Sequence, residues 1–164
     1  MKKLLYHLKR YIFTTISKRK IKSHGKNINV NFYSKFNNNT VLGNNCNFNG
    51  LVISGNGNVT IGNNFHSGKD IKFITQNHNY NGDKIPYDET YITKDIIIED
   101  NVWIGSHVII LGGVHIKEGA IIQAGSVVVK DVEYCGIAGG SPAEVFTYRD
   151  KSKYEELKRK ERFH

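Results

Sequence analysis

The apolar positions of the chain recur with a period of six residues over much of its length. From residue 98, every sixth position holds a β-branched aliphatic side chain, and the position four residues after each holds a small or β-branched one. The first series is Ile98, Ile104, Ile110, Ile116, Ile122 and Val128, and the second is Val102, Val108, Val114, Ala120, Ser126 and Val132. A period of six fits neither a helix nor a single strand. It predicts short strands joined by turns, with one large and one small side chain of each repeat pointing inward.

The same period is present upstream. Val30, Phe36, Leu42 and Phe48 are six apart, and Ser34, Thr40, Cys46 and Val52 follow them by four. The phase then slips by one residue and resumes with Ile61 and Phe65. Regularity is lost over 73–95 and returns at Ile98. We therefore predict a loop inserted at 73–95, and it contains His78 in the polar stretch ITQNHNY.

The two ends of the chain have a different pattern. Leu4, Leu8, Ile12 and Ile16 are spaced by four, which predicts an amphipathic helix within 2–20. Ser152 and Glu155 form a capping-box pattern that predicts a short C-terminal helix. The organisation expected is a basic arm at 1–24, a repeat domain at 25–149, and a helical tail at 150–164.

Charge is concentrated in the arm. Residues 1–22 contain eight Lys or Arg and no acid, whereas the other 15 basic residues are matched by 15 acidic ones, so the net charge of +8 belongs to the arm. A nucleic-acid-binding domain more often spreads basic residues over a folded face, so we expect no nucleic-acid partner. A DNA-binding arm is the alternative that rests on these residues alone.

Composition also indicates the cellular compartment. The two cysteines, Cys46 and Cys135, are far apart and lack metal-ligand spacing, so they predict no disulfide scaffold and favour a reducing cytoplasm. No run of 18 apolar residues occurs, and no cleavable signal pattern is seen at the N-terminus. The expected location is the cytoplasm, with the inner face of the membrane as an alternative for the arm.

Three motifs point to a family. The stretches NVWIGSHV (101–108), QAGSVVVKDV (123–132) and AGGSPA (138–143) resemble the hexapeptide-repeat acyltransferases, above all the galactoside, maltose and polysaccharide O-acetyltransferase branch. The resemblance extends over about 28–149. It implies an all-β fold, a left-handed parallel β-helix in which three repeats make one triangular coil. The handedness comes from the resemblance, because parallel crossovers are usually right-handed.

The resemblance implies transfer of acetyl from acetyl-CoA to a sugar hydroxyl, without a metal. In this family the loop that leaves the coil carries the general base, and His78 matches that position. A neutral imidazole near pH 7 suits proton removal from an attacking hydroxyl. The alternative reading of His78 is an inert surface histidine.

The donor site is carried over on the same resemblance. The Ser106 amide would stabilise the oxyanion, Trp103 would wall the pantetheine channel, and coenzyme A would pass close to Ala124 and Gly125. Lys130 and the turn Gly140-Ser141-Pro142 match the adenine and phosphate end. Glu144 departs from the pattern, because relatives often have a basic residue there, so Lys130 or Arg149 is expected to contact the phosphates.

The acceptor is less defined. Lys35 occupies the place where the galactoside branch has an acceptor-binding Asn, so an acceptor other than a simple galactoside is expected. Tyr80, Asp83 and Tyr87 in the loop are further candidate contacts. The sugar hydroxyl is expected to belong to a surface polysaccharide or its precursor.

Three rival functions remain open. Within enzymes, the alternative is N-acetylation of a nucleotide-linked amino sugar, which would use the same base and donor site. A non-catalytic β-helix is disfavoured, because the outward positions are irregular and a polar loop interrupts the coil. A zinc site like that of β-helical carbonic anhydrases is disfavoured, because His107 and His115 are eight apart at different repeat positions and His66 completes no ligand set.

The family resemblance also implies a homotrimer whose sites combine His78 of one subunit with coil residues of the next. The basic arm has two expected roles. It lies on an anionic membrane surface through residues 1–22, or it packs on the first coil or on a neighbouring subunit.

Overall fold

The fold is a parallel β-helix between two helices, seen in a computed structural model that describes residues 2–164, with side chains from Leu4 onward. The helices are α1 (Lys2–Lys18) and α2 (Lys151–Arg159). The described strands are β1 (Ser23–His24), β2 (Asn29–Val30), β3 (Thr40–Leu42), β4 (Asn47–Ser54), β5 (Val59–Ile61), β6 (His66–Ile74), β7 (Gln76–His78), β8 (Tyr91–Thr93), β9 (Ile96–Ile98), β10 (Trp103–Ile104), β11 (Ile109–Leu111), β12 (His115–Ile116), β13 (Ile121–Ile122), β14 (Val127–Val128), β15 (Gly136–Gly140) and β16 (Ala143–Tyr148).

Successive coils stack in parallel to build three faces. Face 1 is the five-stranded sheet β1-β3-β5-β9-β12. Faces 2 and 3 share one sheet, because β4 and β6 run over the edge between them. Face 2 contains β2, β10, β13 and β15, and face 3 contains β11 and β14. We name the edges corner A (faces 1 and 2), corner B (faces 2 and 3) and corner C (faces 3 and 1). The prediction of a left-handed parallel β-helix with two flanking helices and an inserted loop is confirmed.

The inward side chains are those that the six-residue period predicted downstream. Both series from Ile98 to Val132 are buried. Upstream, the rings of Phe36, Phe48 and Phe65 stack through successive coils at centroid distances of 5.1 and 5.2 Å. Close packing of these side chains forms one continuous core.

The predicted inward position of Val52 is wrong. Val52 is half-exposed, whereas Leu51 and Ile53 on either side of it are buried. Gly50 precedes them with φ +121° where the strand rounds corner B, and the pairing of β4 with β6 shifts register between Asn47 and Asn49. The regular phase is therefore already broken at corner B, earlier than the sequence pattern indicated.

An asparagine ladder shapes corner A. Asn27, Asn45, Asn64 and Asn101 all have φ between 54° and 61°, which asparagine tolerates better than most residues. Each side-chain amide donates to the side-chain carbonyl of the coil below, at 2.9, 3.0 and 2.8 Å. The ladder ends where Asn101 donates to the Tyr154 hydroxyl of α2 at 2.9 Å. The ladder thus fixes the turns and anchors the C-terminal helix.

The inserted segment is a β-hairpin. The coil interior continues through Phe73 and Thr75, which are both buried, and resumes at Ile96. Between them, β7 pairs antiparallel with β8, and His78 lies opposite Tyr91. The part that leaves the coil is thus narrower than the predicted 73–95, and it projects from corner C.

The C-terminal helix is capped differently from the prediction. Its N-cap is Asp150, whose carboxylate accepts from the Lys153 N–H at 3.0 Å, rather than Ser152. An aspartate at this position satisfies one of the free N–H groups of the first turn. No helix within residues 2–164 is long and apolar enough to cross a membrane.

Candidate active site

Corner B brings most of the predicted donor residues into one column. The register places Lys69 above Ser106 and Ser106 above Ala124, because Ile104 pairs with Ser67 and with Ile122. The turn after β15 continues the column. Its Gly140 N–H donates to the buried Ser126 hydroxyl at 3.2 Å. Ser106, Ala124, Gly125 and the Gly140-Ser141-Pro142 turn therefore share one edge of the coil.

The backbone N–H of Ser106 makes no hydrogen bond to any described residue, and a comparison with the turns at corner A explains why. At corner A, an amide on each coil donates to a side-chain oxygen of the coil below: Asn44 N–H to Asn63 Oδ1 at 2.8 Å, and Asn63 N–H to Asp100 Oδ1 at 2.7 Å. Corner B begins in the same way, with the Lys69 N–H donating to Ser106 Oγ at 3.0 Å.

The column then reaches Ala124, whose side chain has no acceptor. Within residues 2–164, no group accepts from the Ser106 N–H. An unpaired, preorganised amide at a partly buried turn is what an oxyanion requires.

Glycines allow neighbouring coils to approach closely along this column. A Cβ at Gly68 would lie 2.5 Å from the Ser106 nitrogen, and one at Gly105 would lie 2.5 Å from the Ala124 nitrogen. A Cβ at Gly125 would meet nothing within 4 Å, although its φ is +75°. A ligand can therefore approach the backbone at Gly125 without a side chain in its path. The sequence analysis did not identify Gly68 as a site residue. Gly68 occupies the same repeat position as Gly105, but the hairpin inserted between them interrupts the regular spacing that would have shown this.

His78 stands on the other side of face 3, at corner C. Its ring is exposed and stacks on Tyr87 with a centroid distance of 3.9 Å and an interplanar angle of 17°. Tyr91 lies 4.9 Å away on the paired strand. No side chain in the described part of the chain hydrogen-bonds the imidazole. Stacking on tyrosines therefore orients the ring and leaves both nitrogens free for a substrate.

Hydrogen bonds within the hairpin hold this arrangement. Asp88 Oδ1 accepts from the Thr90 N–H at 2.8 Å and from its hydroxyl at 2.6 Å. Asn79 bridges the two strands through its backbone to Thr90 at 3.0 Å. Tyr80 and Asp83 lie near the hairpin tip and are exposed. Of the three loop residues predicted to contact the acceptor substrate, Tyr87 is thus the one that packs against His78.

The residues predicted to contact the phosphates of coenzyme A lie at different corners of the coil. Lys130 lies near corner C and forms an ion pair with Glu144 at 3.4 Å. Arg149 lies instead at corner A, where its Nε donates to the Gly119 carbonyl at 2.6 Å. The antiparallel β16 carries the chain back across face 2, which is why Arg149 ends beside Cys135 rather than beside Lys130. The structure therefore does not bring Arg149 to the donor column.

Lys35 lines a cavity of about 680 Å³ between α1 and corner C. Lys20 also lines it, and no Asp or Glu does. One wall continues toward the hairpin, because the Asn56 N–H donates to Gln76 Oε1 at 3.2 Å, two residues before His78. The cavity is therefore positively charged and adjoins the hairpin base.

Comparisons with known proteins identify the family of this chain. Residues 95–130 match the family model described as bacterial transferase hexapeptide (six repeats). A galactoside O-acetyltransferase of Escherichia coli (strain K12) is 35% identical over 137 residues, which cover 80% of this chain and 61% of that protein. The solved structure of a galactoside acetyltransferase in complex with coenzyme A is 30% identical, with a TM-score of 0.69, over 85% of this chain and 72% of that one. The chain belongs to the hexapeptide-repeat acyltransferase family.

A second solved member is a hexapeptide-repeat acetyltransferase of Vibrio cholerae O1 biovar eltor, complexed with acetyl coenzyme A. It is 27% identical with a TM-score of 0.67, over 82% of this chain and 75% of that one. The chain spans about half to three-fifths of the length of the first curated relatives it matches.

Trp103 and the three histidines considered as metal ligands lie on different parts of the coil. Trp103 lies on face 2, is 53% exposed, and lines a cavity of about 520 Å³ together with residues of the C-terminal tail. His66 also lines that cavity, and burial lowers the pKa of its imidazole. His107 approaches Asp70 at corner B, whereas His115, in β12 on face 1, approaches Glu99. In the part of the chain that the structure describes, no three potential ligands come together to hold a metal ion.

Proposed function

We propose that this hexapeptide-repeat protein transfers an acetyl group from acetyl-CoA to a hydroxyl group of a saccharide, a surface polysaccharide or its precursor. The observation that carries the proposal is the free Ser106 N–H at corner B, in a chain whose inserted hairpin presents an unpaired histidine. The known relatives that share this coil are named as acetyltransferases, one of them solved with acetyl coenzyme A.

The chemistry follows from these two groups. His78 accepts the proton of the attacking hydroxyl while its oxygen bonds to the thioester carbonyl carbon. The negative charge that develops on the carbonyl oxygen is stabilised by the Ser106 N–H, a contribution of up to about 4 kcal/mol. Collapse breaks the carbon–sulfur bond, and the proton held on His78 passes to the leaving thiolate. The products are an acetyl ester and coenzyme A.

The chain's own residues fit coenzyme A along corner B. The open backbone at Gly125 allows the pantetheine to pass close to the coil, and the amides of Ser106 and Ala124 can donate to it. Trp103 on the neighbouring face is an exposed apolar wall. The Lys130 ammonium pairs with Glu144, next to the Gly140 turn of this column, and supplies the positive charge for the phosphates.

A composite site explains why the two groups lie apart. Within one protomer, His78 is at corner C and Ser106 is at corner B, on opposite edges of face 3. A cyclic trimer would place corner C of one subunit against corner B of the next, so that each site takes its base from one chain and its amide from another. Light scattering coupled to gel filtration tests this directly, and a fully active monomer would contradict it.

Release of free thiol from acetyl-CoA, measured with a panel of sugars and amino sugars, tests the reaction. The protein's own thiols add little to the signal, because Cys46 and Cys135 are buried and burial raises the pKa of both, to about 12 for Cys46. Release that depends on a hydroxyl acceptor supports the proposal. Release only with amine acceptors would assign N-acetylation instead, and no release with any acceptor would contradict both.

Replacing Glu144 should strengthen donor binding. Glu144→Gln removes the carboxylate that pairs with Lys130 at 3.4 Å, so the ammonium is free for a phosphate. Both side chains are exposed, so we expect the KM for acetyl-CoA to fall by only about twofold to fivefold. Lys130→Gln should raise the same KM, and the double variant should resemble Lys130→Gln alone. A Glu144→Gln variant with an unchanged KM would remove Lys130 from the donor site.

Lys35 is expected to select a negatively charged acceptor. The cavity that it lines contains Lys20 and no acidic side chain, so an anionic saccharide would find a charged partner there. Lys35→Asn should raise the KM for acidic saccharides about tenfold, the effect of losing one charged hydrogen bond. The KM for acetyl-CoA should not change. Equal use of neutral and acidic sugars by both proteins would contradict this specificity.

A further inference from the structure

Helix α1 is held on the coil by one of its faces. Its Tyr6 hydroxyl donates to Asn31 Oδ1 at 3.0 Å, and its Thr14 hydroxyl accepts from the Val30 N–H at 2.9 Å. Phe13 is half-buried and lies 6.2 Å from the Phe32 ring. Ser17 is buried. The docked face is therefore made of aromatic and hydroxyl side chains, not of the aliphatic stripe that the sequence pattern identified.

The aliphatic stripe points away from the coil. Leu4 is 76% exposed, Leu8 53%, Ile12 44% and Ile16 56%. These residues are spaced by four and lie on the side opposite Phe13 and Ser17. Leu5 and Tyr11 extend the same exposed face. A row of aliphatic side chains along a whole helix is uncommon on a free surface and marks an interaction site.

Basic residues border this stripe. By helical position, Lys9 lies at one edge of the aliphatic row and Lys18 at the other. Arg19, Lys20 and Lys22 follow directly after the helix, and residues 1–22 contain no acidic side chain. The remainder of the chain has equal numbers of acidic and basic residues. The arm thus combines an apolar row with a high local positive charge.

We propose that α1 binds the surface of an anionic lipid bilayer, with Leu4, Leu8, Ile12 and Ile16 inserted below the headgroups and the flanking lysines among them. An apolar row with basic edges is the pattern of helices that lie in a membrane interface. A second copy of the chain fits less well, because contact between two such arms would bring together two segments that each have eight basic residues and no acidic one. Lipid supplies both an apolar interior and negative charge.

Membrane binding would also orient the molecule. Ile16 and Lys20 at the end of the arm line the same cavity as Lys35. A bound arm would therefore hold that cavity at the lipid surface. For the transferase proposed above, on which this consequence rests, it would bring a lipid-attached acceptor within reach.

Vesicle flotation with the full chain tests the inference. Vesicles of phosphatidylcholine alone are compared with vesicles containing about one-third phosphatidylglycerol. We expect binding to the mixed vesicles only. Leu8→Ser with Ile12→Ser should weaken it on the order of a hundredfold, from the apolar area removed. Lys9→Gln with Lys18→Gln should weaken it about tenfold to thirtyfold, and salt should weaken the parent in the same direction.

Matched controls are exposed residues outside the arm. Ile85 is fully exposed at the hairpin tip, and Lys153 and Lys160 are exposed on or beside α2. Ile85→Ser and the pair Lys153→Gln, Lys160→Gln should bind vesicles as the parent does. Circular dichroism should show all variants folded, since the substituted side chains are exposed or, for Lys18, half-exposed.

Failure of the parent chain to float with either vesicle overturns the inference. Undiminished binding by the Leu8→Ser, Ile12→Ser variant does so as well. If the parent does not bind and that variant changes the oligomeric state in light scattering, the stripe is a contact between subunits instead. None of these outcomes depends on turnover, so the transferase proposal stands or falls separately.

Discussion

Replacing His78 with alanine is expected to lower kcat about a hundredfold or more, the range for loss of a general base. The imidazole is exposed, stacks on Tyr87 at 3.9 Å, and makes no hydrogen bond to any other side chain of the described residues. Its removal therefore leaves the coil intact, so the melting temperature should not change. The KM for acetyl-CoA should also stay constant, because corner B is untouched. Thiol release at saturating acetyl-CoA and acceptor measures the effect.

The matched control is another exposed histidine. His24 lies at the start of face 1, remote from the hairpin, and its ring contacts only the neighbouring Gly25 carbonyl. His24→Ala should turn over as fast as the parent. If His78→Ala is equally active, the imidazole is not the base, and the hairpin has some other role. A fall in activity accompanied by a lower melting temperature would instead indicate damage to the hairpin.

The coil was predictable because burial in a β-helix repeats with the chain's own period. Side chains such as Ile104 and Val108 fall on inward positions in each coil, so their apolar character is visible along the sequence. The shift at corner B was not visible. Leu51, Val52 and Ile53 are all aliphatic, so the apolar pattern does not show which of them points inward.

The hairpin strands were hidden for a different reason. Residues 76–78 and 91–93 pair with each other outside the coil, so they have no buried side to impose an alternating pattern. The contact between His78 and Tyr87 depends on this pairing and on the turn of the chain between them. The sequence places both residues in one loop but does not show that their rings stack.

The donor residues were predicted by resemblance, whereas the reason for their properties lies in the stacking of coils. The Ser106 amide is free because Ala124, a residue of the next coil, has no acceptor in its side chain. Gly68, a residue of the coil above, lets the two coils approach closely at this point. The hairpin inserted between Gly68 and Gly105 removes the regular spacing that would have revealed this column. Arg149 was misplaced because the six-residue pattern does not show that β16 runs antiparallel.

Introducing a hydrogen-bond acceptor at position 124 should therefore occupy the Ser106 N–H. In the coil above, a serine hydroxyl at the equivalent place accepts from the Lys69 N–H at 3.0 Å. Ala124→Ser places the same group one coil lower, where the register aligns it with the Ser106 N–H. An amide already bonded to a hydroxyl is less available to an oxyanion, so kcat should fall up to about a hundredfold. The free energy of unfolding should stay equal or rise by about 1 kcal/mol, because a hydrogen bond is gained.

Two variants separate this effect from simple crowding of the donor channel. Ala124→Val adds more volume than serine but no acceptor, so it should raise the KM for acetyl-CoA with a smaller effect on kcat. Ser106→Ala removes the contact with Lys69 but keeps the backbone N–H, so it should retain most of its turnover. If Ala124→Val lowers kcat as much as Ala124→Ser does, bulk alone explains the loss. If Ala124→Ser turns over like the parent, the oxyanion is stabilised by a group other than the Ser106 amide, and corner B serves only to bind the donor.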